Sequence, residues 1–272
     1  MKKIINKFFN KIGIKVTTLK TFIEKTEFYE KKFFLESLSN SDLHPRVLKY
    51  FIDNYPQSKS QLCQDLFVNY LMENLNVKFP YTFAEFGATD GLYLSNTKLL
   101  EEKGWVGLLA EPARHFHNDL RKNRNSLISL NAIGAVDKQN VTFYETENKS
   151  LSTLKQFVGR DFHSDRRVSG KINAYEVKQI SINSFLKNLN AEITYLSIDT
   201  EGGEYEIILA LDLKKFRPKF ISIEHNFTED ELRIEEYLEN RHYQRVYRKF
   251  FSFDSFFIDK SAYFELKQKD LI

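Results

Sequence analysis

Acidic residues follow several short apolar segments, and two of these segment ends hold most of the candidate chemistry. The segment YLSI leads into Asp199, Glu201 and Glu204, and the segment FISI leads into Glu224 and His225. Carboxylates beside an imidazole suit a divalent metal, or an acid/base pair with a charged substrate partner. The plainer alternative is that these acids accept hydrogen bonds from loop amides.

A third acidic segment end, FAEFGATDG, has the pattern ExGxxxG at Glu85, Gly87 and Gly91. Gly87 permits a turn with positive φ or the close approach of a ligand, and Gly91 keeps side chains out of the same space. The pattern lacks the three glycines of GxGxxG, so a nicotinamide dinucleotide fits it less well. An ordinary strand-to-helix turn is the alternative.

Glu111 follows the segment VGLLA and lies about 20 residues after Gly91, where nucleoside-binding sheets place an acid that accepts from both ribose hydroxyls. The alternative is an acid at a helix N-terminus, with Pro112 in the first helical position. Asn131 follows the next apolar segment. It suits either the border of an adenine ring or the cap of a turn.

The elements that position these residues are short apolar strands alternating with helical segments. The predicted strands are 83–86, 106–110, 127–130, 195–198 and 220–223. This alternation predicts an α/β fold with a doubly wound, mostly parallel sheet, which binds ligands at the carboxyl ends of its strands. The segment 241–260 predicts an antiparallel pair of strands at the sheet edge.

The first 60 residues have helical spacing of apolar positions, with interruptions near Pro45 and Pro56. They are predicted to be a helical extension or cap on a domain spanning 61–272. Residues 1–20 contain lysines and no acid, and suit either a helix that packs on its own domain or an amphipathic segment on an anionic membrane surface. Whether residues 1–60 cover the site or pair two subunits of a homo-oligomer stays open.

Composition narrows the classes of protein. Hydrophobic residues make up 42% and charged residues 28% of the chain, as in globular proteins, and the net charge of +3 gives no reason to expect a nucleic-acid partner. The longest apolar runs are too short for a membrane-spanning helix. The single cysteine, Cys63, excludes an internal disulfide and suits a reducing, cytoplasmic compartment.

The stretch KQFVGRDFHSDRRVSGK, residues 155–171, concentrates Arg160, His163, Arg166 and Arg167. Guanidinium groups pair bidentately with phosphate oxygens, so this stretch is a candidate site for the diphosphate of an activated acceptor. The alternative is a solvated basic loop.

Four segments, taken together, resemble a known family. FAEFGATDGLYLSNTKLLEEKGWVGLLAEP, LNAIGAV, YLSIDTEGGEYEIIL and ISIEHN are similar, in order and spacing, to successive motifs of the FkbM-type methyltransferases. These are class I enzymes that use S-adenosylmethionine. The resemblance covers roughly residues 61–258 and leaves the first 60 outside it.

The resemblance implies roles for individual residues. Ser95 and Asn96 would lie near the carboxylate of the methionine part of the cofactor, Glu111 would hold the ribose, and Asn131 with Ala132 would border adenine. The full implied cofactor site is Glu85, Gly87, Ala88, Asp90, Gly91, Ser95, Asn96, Glu111, Pro112, Asn131, Ala132 and Asp199.

The same resemblance implies the chemistry. Asp199 and Glu201 would face the reacting methyl group and the acceptor. Methyl transfer requires that the acceptor hydroxyl lose its proton, either to a base such as His225 or Glu201, or with help from a divalent metal (Mg or Mn) held by Asp199, Glu224 and His225.

The family acts mainly on oxygen nucleophiles of sugars and polyketides, so the expected acceptor is a nucleotide-activated sugar for capsule or lipopolysaccharide biosynthesis. Its expected contacts are Arg160, His163, Arg166, Arg167 and Glu204. The alternatives are a non-sugar small-molecule acceptor, a non-catalytic nucleotide-binding or scaffold protein of the same fold, a dehydrogenase, and a membrane-docked assembly factor.

Overall fold

The computed structural model describes residue 38 and the ranges 41–75, 81–160, 163–189 and 191–272. The chain divides into two compact units, Met1–Asp42 and Leu43–Ile272, and the site lies in the second. The predicted membrane-surface segment, residues 1–20, lies outside the described residues. Of the helices in the described ranges, none combines the length and the hydrophobicity that crossing a bilayer requires.

Two sheets are built from the strands of the described residues. These strands are β1 (Thr82–Phe86), β2 (Val106–Ala110), β3 (Leu127–Ser129), β4 (Ala132–Gly134), β5 (Lys138–Thr146), β6 (Thr153–Leu154), β7 (Ile172–Ser181), β8 (Tyr195–Ile198), β9 (Phe220–Glu224), β10 (Tyr243–Val246) and β11 (Asp254–Asp259).

The larger sheet has seven strands in the order β3-β2-β1-β8-β9-β11-β10. Strands β3, β2, β1, β8 and β9 are parallel, whereas β11 is antiparallel to both β9 and β10. The doubly wound, mostly parallel sheet and the antiparallel pair at its edge are therefore confirmed. Strands β1 and β8 are buried along their whole length, as expected for a parallel sheet covered on both faces.

The smaller sheet has the order β4-β7-β5-β6 and was not predicted from the sequence. Its long antiparallel pair, β5 and β7, lies in the chain between β3 and β8, where the sequence analysis placed no strand. The buried side chains of Phe143, Leu154 and Val177 pack beneath this sheet together with Ala113 and Ala132. The smaller sheet thereby comes to lie beside the carboxyl end of β2.

The α-helices of the described residues lie before, between and after these strands. They are α1 (Pro45–Asn54), α2 (Gln64–Asn74), α3 (Lys98–Glu102), α4 (His117–Asn123), α5 (Ser164–Val168), α6 (Ile182–Leu186), α7 (Glu204–Ala210), α8 (Asp230–Glu239), α9 (Arg248–Phe251) and α10 (Lys260–Gln268).

Helix α1 belongs to the same unit as the large sheet. The Phe51 ring contacts Phe67 of α2 and Phe250 of α9, with ring centroids 6.2 Å and 5.4 Å apart. Helix α1 therefore packs against two helices of the unit that contains the large sheet. The predicted extension over residues 1–60 lies largely outside the described residues and stays a prediction.

Candidate active site

A cavity of about 530 Å³ opens at the carboxyl end of the large parallel sheet. Its wall includes Gly87 after β1, Glu111 after β2, Asp199 after β8 and Glu224 at the end of β9. Its size is within the range of small-molecule sites, and its position is the one expected for ligands in open α/β sheets. The sheet therefore brings together segment ends that lie far apart in the sequence.

The two glycines after β1 are required by packing within the protein. Gly87 has a φ of +80°, and a Cβ atom added there would lie 1.8 Å from the carbonyl oxygen of Asp199. Gly91 has a φ of +74°, and a Cβ there would come within 2.7 Å of Leu120 and 2.5 Å of Arg124. Gly87 thus permits the strand ends of β1 and β8 to meet, and Gly91 packs against α4 rather than lining the cavity.

Glu85 lies just outside the cavity lining and is satisfied by protein groups. Its carboxylate accepts hydrogen bonds from Asn96 N at 2.7 Å, Thr97 Oγ1 at 2.6 Å and Arg124 Nη1 at 3.2 Å. The Arg124 side chain is fully buried and also donates to Glu101 at 2.9 Å. Glu85 therefore anchors the loop between β1 and α3, a role that depends on an arginine 39 residues away and that sequence reasoning missed.

The anchored loop presents three polar side chains to the cavity. Asp90 Oδ1 accepts from the backbone amides of Leu92 and Tyr93, both at 2.9 Å, and Ser95 Oγ donates to Glu85. Asn96 Nδ2 donates to Ser197 Oγ at 2.9 Å, whereas Asn96 Oδ1 is buried and has no hydrogen-bond partner among the described residues. Because a buried carbonyl oxygen without a partner is costly, Asn96 is a candidate acceptor for a ligand N–H.

Glu111 is buried in the cavity wall and is held in one orientation by the backbone. Thr89 N donates to its Oε2 at 2.8 Å, and Ala113 N donates to its Oε1 at 2.7 Å. Burial raises the pKa of Glu111 to about 7, and the charges of Glu145 and Glu85 add to the rise. The alternative of Pro112 as the first residue of a helix does not hold, because residues 111–113 are irregular.

Apolar side chains form the wall next to Glu111. Ala132 and Ile133 of β4 line the cavity together with Phe143 of β5 and Leu154 of β6. Asn131 lies outside the lining, and its side chain donates to Ser129 Oγ at 3.1 Å, as in the alternative of a capped turn. The smaller sheet, which was not predicted, therefore supplies most of the surface on which a flat ring would lie.

Three carboxylates meet at the ends of β8 and β9. One oxygen each from Asp199, Glu201 and Glu224 lies within 4.8 Å of the others. Burial raises the pKa of Asp199 to about 8, and burial together with the charge of Asp199 raises the pKa of Glu224 well above its usual value. Like-charged, partly buried carboxylates this close favour sharing protons, binding a cation or pairing with a basic side chain.

His225 and Glu204 are not members of this carboxylate cluster. The His225 side chain is fully buried, its Nδ1 accepts from Phe227 N at 3.2 Å, and it lies 3.7 Å from Glu231, outside the lining of the large cavity. Glu201 takes the place in the cluster that the sequence analysis assigned to His225. Glu204 accepts from Thr200 N at 2.7 Å, so it fixes the loop before α7 instead of contacting a ligand in the large cavity.

The basic residues of 155–171 have three different positions. His163 and Arg166 line the cavity, together with Lys149, which the sequence analysis did not single out. Arg160 is exposed and pairs with Glu206 at 3.1 Å. The Arg167 side chain is fully buried and donates to Glu201 at 2.8 Å. Arg167 therefore supports the acid cluster, and only part of the stretch can contact a ligand in this cavity.

Several further residues that line the cavity were not predicted from the sequence. Gln64 opens α2 and Asp254 opens β11, and Gln64 Nε2 donates to Asp254 Oδ2 at 2.5 Å. Burial raises the pKa of Asp254 to about 7. Two aromatic side chains on the cavity wall, Tyr93 and Phe227, are about two-thirds exposed. Spacing in the sequence gives no signal for contacts between such distant segments.

The family is decided by a match to the model of the Methyltransferase FkbM domain, which covers residues 85–245, more than half of the chain. The chain belongs to this family. The FkbM resemblance of the sequence analysis is thereby confirmed, and the cavity is the candidate active site of a methyltransferase domain. All of the cavity residues at the ends of β1, β2, β8 and β9 lie within the matched FkbM residues.

Other comparisons add little to the FkbM assignment. A search of curated proteins finds no match to the chain. Among solved structures, the chain is similar to one from the crystal structure of a fibrillarin/Nop5p complex, at 10% identity and a TM-score of 0.38 over 73% of this chain and 79% of that chain. A likeness at this level carries no argument about the site.

Proposed function

We propose that this protein is an S-adenosylmethionine-dependent O-methyltransferase that acts on a sugar hydroxyl, with a nucleotide-activated sugar for capsule or lipopolysaccharide biosynthesis as its acceptor. The observation that carries the proposal is Glu111, a buried carboxylate in the cavity wall whose two oxygens are oriented by the amides of Thr89 and Ala113. A carboxylate held in this way can accept from both hydroxyls of a ribose.

The cavity residues fit this cofactor at three places. Glu111 suits the ribose, the unpartnered Oδ1 of Asn96 suits the amino group of the methionine part, and the apolar wall at Ala132, Ile133 and Phe143 suits adenine. Bound S-adenosylmethionine supplies a methyl group activated on a sulfonium.

The acid cluster suits the other half of the reaction, removal of the proton from the acceptor hydroxyl. Glu201, paired with the buried Arg167, is positioned beside Asp199 and Glu224 to accept that proton. Burial raises the pKa of the neighbouring Asp199 to about 8, which favours a protonated carboxyl beside Glu201 near neutral pH.

A divalent cation such as Mg²⁺ or Mn²⁺ fits the same carboxylates. Asp199, Glu201 and Glu224 offer hard oxygen ligands, and the buried Oε2 of Glu224 has no hydrogen-bond partner among the described residues. Such an ion would lower the pKa of an acceptor hydroxyl. His225 is not part of this proposed ligand set, because its ring lies outside the cavity lining.

Basic side chains of the cavity wall support an anionic acceptor. Lys149, His163 and Arg166 line the cavity and bring basic groups to one part of its wall. A guanidinium and an ammonium group suit the diphosphate of a nucleotide sugar. We place the reaction in the cytoplasm, because the single cysteine, Cys63, is a buried free thiol, as is usual in a reducing compartment.

Calorimetric titration of S-adenosylmethionine into the full chain tests the proposal. We expect micromolar binding by the wild type and a loss of at least about tenfold in Glu111→Ala, since two charge-assisted hydrogen bonds are removed. Glu192→Ala, an exposed residue before β8, is the matched control and should bind like the wild type. A wild type that does not bind S-adenosylmethionine would refute the proposed function, and a chelator added to the same titration tests the metal.

A further inference from the structure

One part of the cavity wall comes from outside the residues that match the family. The matched range is 85–245, whereas Gln61 and Gln64 precede it and Phe253 and Asp254 follow it. The proposed cofactor contacts and the acid cluster all lie inside the range. These four residues therefore belong to neither the proposed cofactor contacts nor the acid cluster, although they line the same cavity.

Gln64 and Asp254 form a buried pair in this part of the cavity wall. Their side chains are 2% and 6% exposed, and Gln64 Nε2 donates to Asp254 Oδ2 at 2.5 Å, although 190 residues separate them in the sequence. Leu62 N donates to Gln64 Oε1 at 2.8 Å, which defines the orientation of the amide. Both side chains also line the cavity.

The backbone before α2 holds Gln64 in place. The buried carboxylate of Asp65 accepts from Ser58 Oγ, Lys59 N and Ser60 Oγ, each at 2.7 Å. This network fixes the segment between α1 and α2 to the start of α2. Gln64 is thereby presented to the cavity from a rigid turn, as a recognition group must be.

The pair keeps hydrogen-bonding capacity on the cavity side. A carboxamide nitrogen carries two donor hydrogens and a carboxylate about four acceptor sites. Within the described residues, the bond between Gln64 and Asp254 uses one donor hydrogen of Gln64 Nε2 and one acceptor site of Asp254. One donor and several acceptor sites thus remain side by side, and this combination is complementary to a hydroxyl group, which is both donor and acceptor.

The pair is next to the acid cluster. Asp254 lies opposite Glu224 in the register of β9 and β11, and Ile198, the residue before Asp199, lies opposite Ile223 in the register of β8 and β9. Asp199, Glu224 and Asp254 thus stand at the tips of three neighbouring strands, which are about 4.8 Å apart in a sheet. A hydroxyl bound by the pair would be a close neighbour of the group held at the acid cluster.

We propose that Gln64 and Asp254 bind a second hydroxyl of the acceptor, adjacent to the hydroxyl that receives the methyl group. The inference rests on the proposed function and deepens it, because it limits the acceptors to compounds with neighbouring hydroxyls, as in a sugar ring. The two residues determine specificity and take no part in the methyl transfer itself.

The test uses the full chain saturated with S-adenosylhomocysteine. UDP-glucose, UDP-galactose and GDP-mannose are titrated calorimetrically, each beside its analogues that lack one ring hydroxyl. We expect at least one parent sugar to bind the wild type about tenfold more tightly than one of its deoxy analogues, as for the loss of a hydrogen bond to buried polar groups. Equal affinity within every pair, or no binding of any parent, would overturn the inference without use of a variant.

Two variants connect this discrimination to the pair. Gln64→Leu and Asp254→Asn should each weaken the parent sugar about tenfold and leave the deoxy analogue unchanged, so that the difference between them disappears. In turnover assays with the same sugar, KM should rise more than kcat falls. Gln268→Leu, an exposed glutamine on α10, is the matched control. Variants that keep the discrimination of the wild type would overturn the inference.

A cofactor titration on the same samples separates the two proposals. If S-adenosylmethionine binds and the sugars show no discrimination, only the inference about Gln64 and Asp254 fails. If S-adenosylmethionine does not bind the wild type, the proposed function fails with it.

Discussion

Carboxylates on two sides of the cavity differ in how fully the protein satisfies them, although burial raises the pKa of acids on both sides. On the first half, which we call the ribose side (Glu85 and Glu111), each acid accepts hydrogen bonds from backbone amides, and Glu85 also pairs with Arg124. On the second half, the acid side (Asp199, Glu201, Glu224 and Asp254), burial and then the charges of neighbouring acids raise the pKa values of Asp199, Glu224 and Asp254, and Glu224 keeps an oxygen without a partner in the described residues.

This difference suits the two sides to different tasks, the ribose side to binding a ligand and the acid side to chemistry. The ribose side is organised before any ligand arrives, so binding there costs little reorganisation. The acid side places like charges together in a buried location, which destabilises the fold and leaves groups that can take up a proton or a cation. A cofactor site benefits from the first arrangement and a reaction site from the second.

The largest effect is expected on the ribose side. Arg124→Met would leave the buried Glu85 without its charged partner, and we expect the free energy of unfolding to fall by about 3 to 5 kcal/mol. Chemical denaturation measures this loss, and Arg121→Met, at an exposed position of α4 three residues before Arg124, is the control. A loss below about 1 kcal/mol would show that the anchor is not needed. Adding Glu85→Gln to Arg124→Met should recover part of the stability, because no buried charge then lacks a partner.

The acid side should make the free energy of unfolding fall as the pH rises, whereas a carboxylate in an ordinary ion pair makes it rise with pH. Asp199 has a pKa of about 8 in the folded protein, so between its usual value near 4 and this value the folded state holds a proton that the unfolded state has released. Stability should therefore fall as the pH rises from about 5 to 8.

Asp199→Asn should flatten that slope by up to about 1.4 kcal/mol per pH unit, which is the linkage of one proton. Denaturation at pH 5, 6, 7 and 8 without metal checks the prediction, with Asp119→Asn on the exposed face of α4 as the control. If the wild type becomes more stable over this range, Asp199 is ionised in the folded state and the account of the acid side is wrong. A divalent cation that binds the cluster should reduce the slope.

The smallest effect concerns the basic residues near the acid side. Arg166→Ala should weaken the binding of UDP about tenfold, because Arg166 lines the cavity. Arg160→Ala should leave it unchanged, since Arg160 is exposed and pairs with Glu206. Calorimetric titration of UDP into the protein saturated with S-adenosylhomocysteine compares the two. Equal losses in both variants would mean that the whole stretch acts as a diffuse basic surface.

Much of the large sheet was predictable from the sequence. Strand β2 (Val106–Ala110) and strand β8 (Tyr195–Ile198) have the predicted bounds, because buried parallel strands are continuous apolar runs. The smaller sheet was not predicted, because β5 and β7 mix polar and apolar residues and lack the continuous apolar runs of buried parallel strands. The alternation in VTFYET and in INAYEVKQIS is the signal that identifies them.

The candidate site likewise has a part that was predictable from the sequence and a part that was not. Glu111 and Asp199 were predicted to face a ligand because each directly follows a strand, and residues there must meet at one edge of the sheet. The role of Glu85 depended on the buried guanidinium of Arg124, and the orientation of His225 depended on the turn after β9. No local pattern indicates either of these contacts.

The sequence by itself determined the positions of the parallel strands along the chain, the acids at their ends and, through its motifs, the FkbM family, because these follow from local periodicity and from residues close together in the chain. Only the tertiary structure decided which acids contact a ligand and which are satisfied within the protein. It also decided the pair of Gln64 and Asp254, because a hydrogen bond between residues 190 positions apart exists only once α2 and β11 pack at one edge of the sheet.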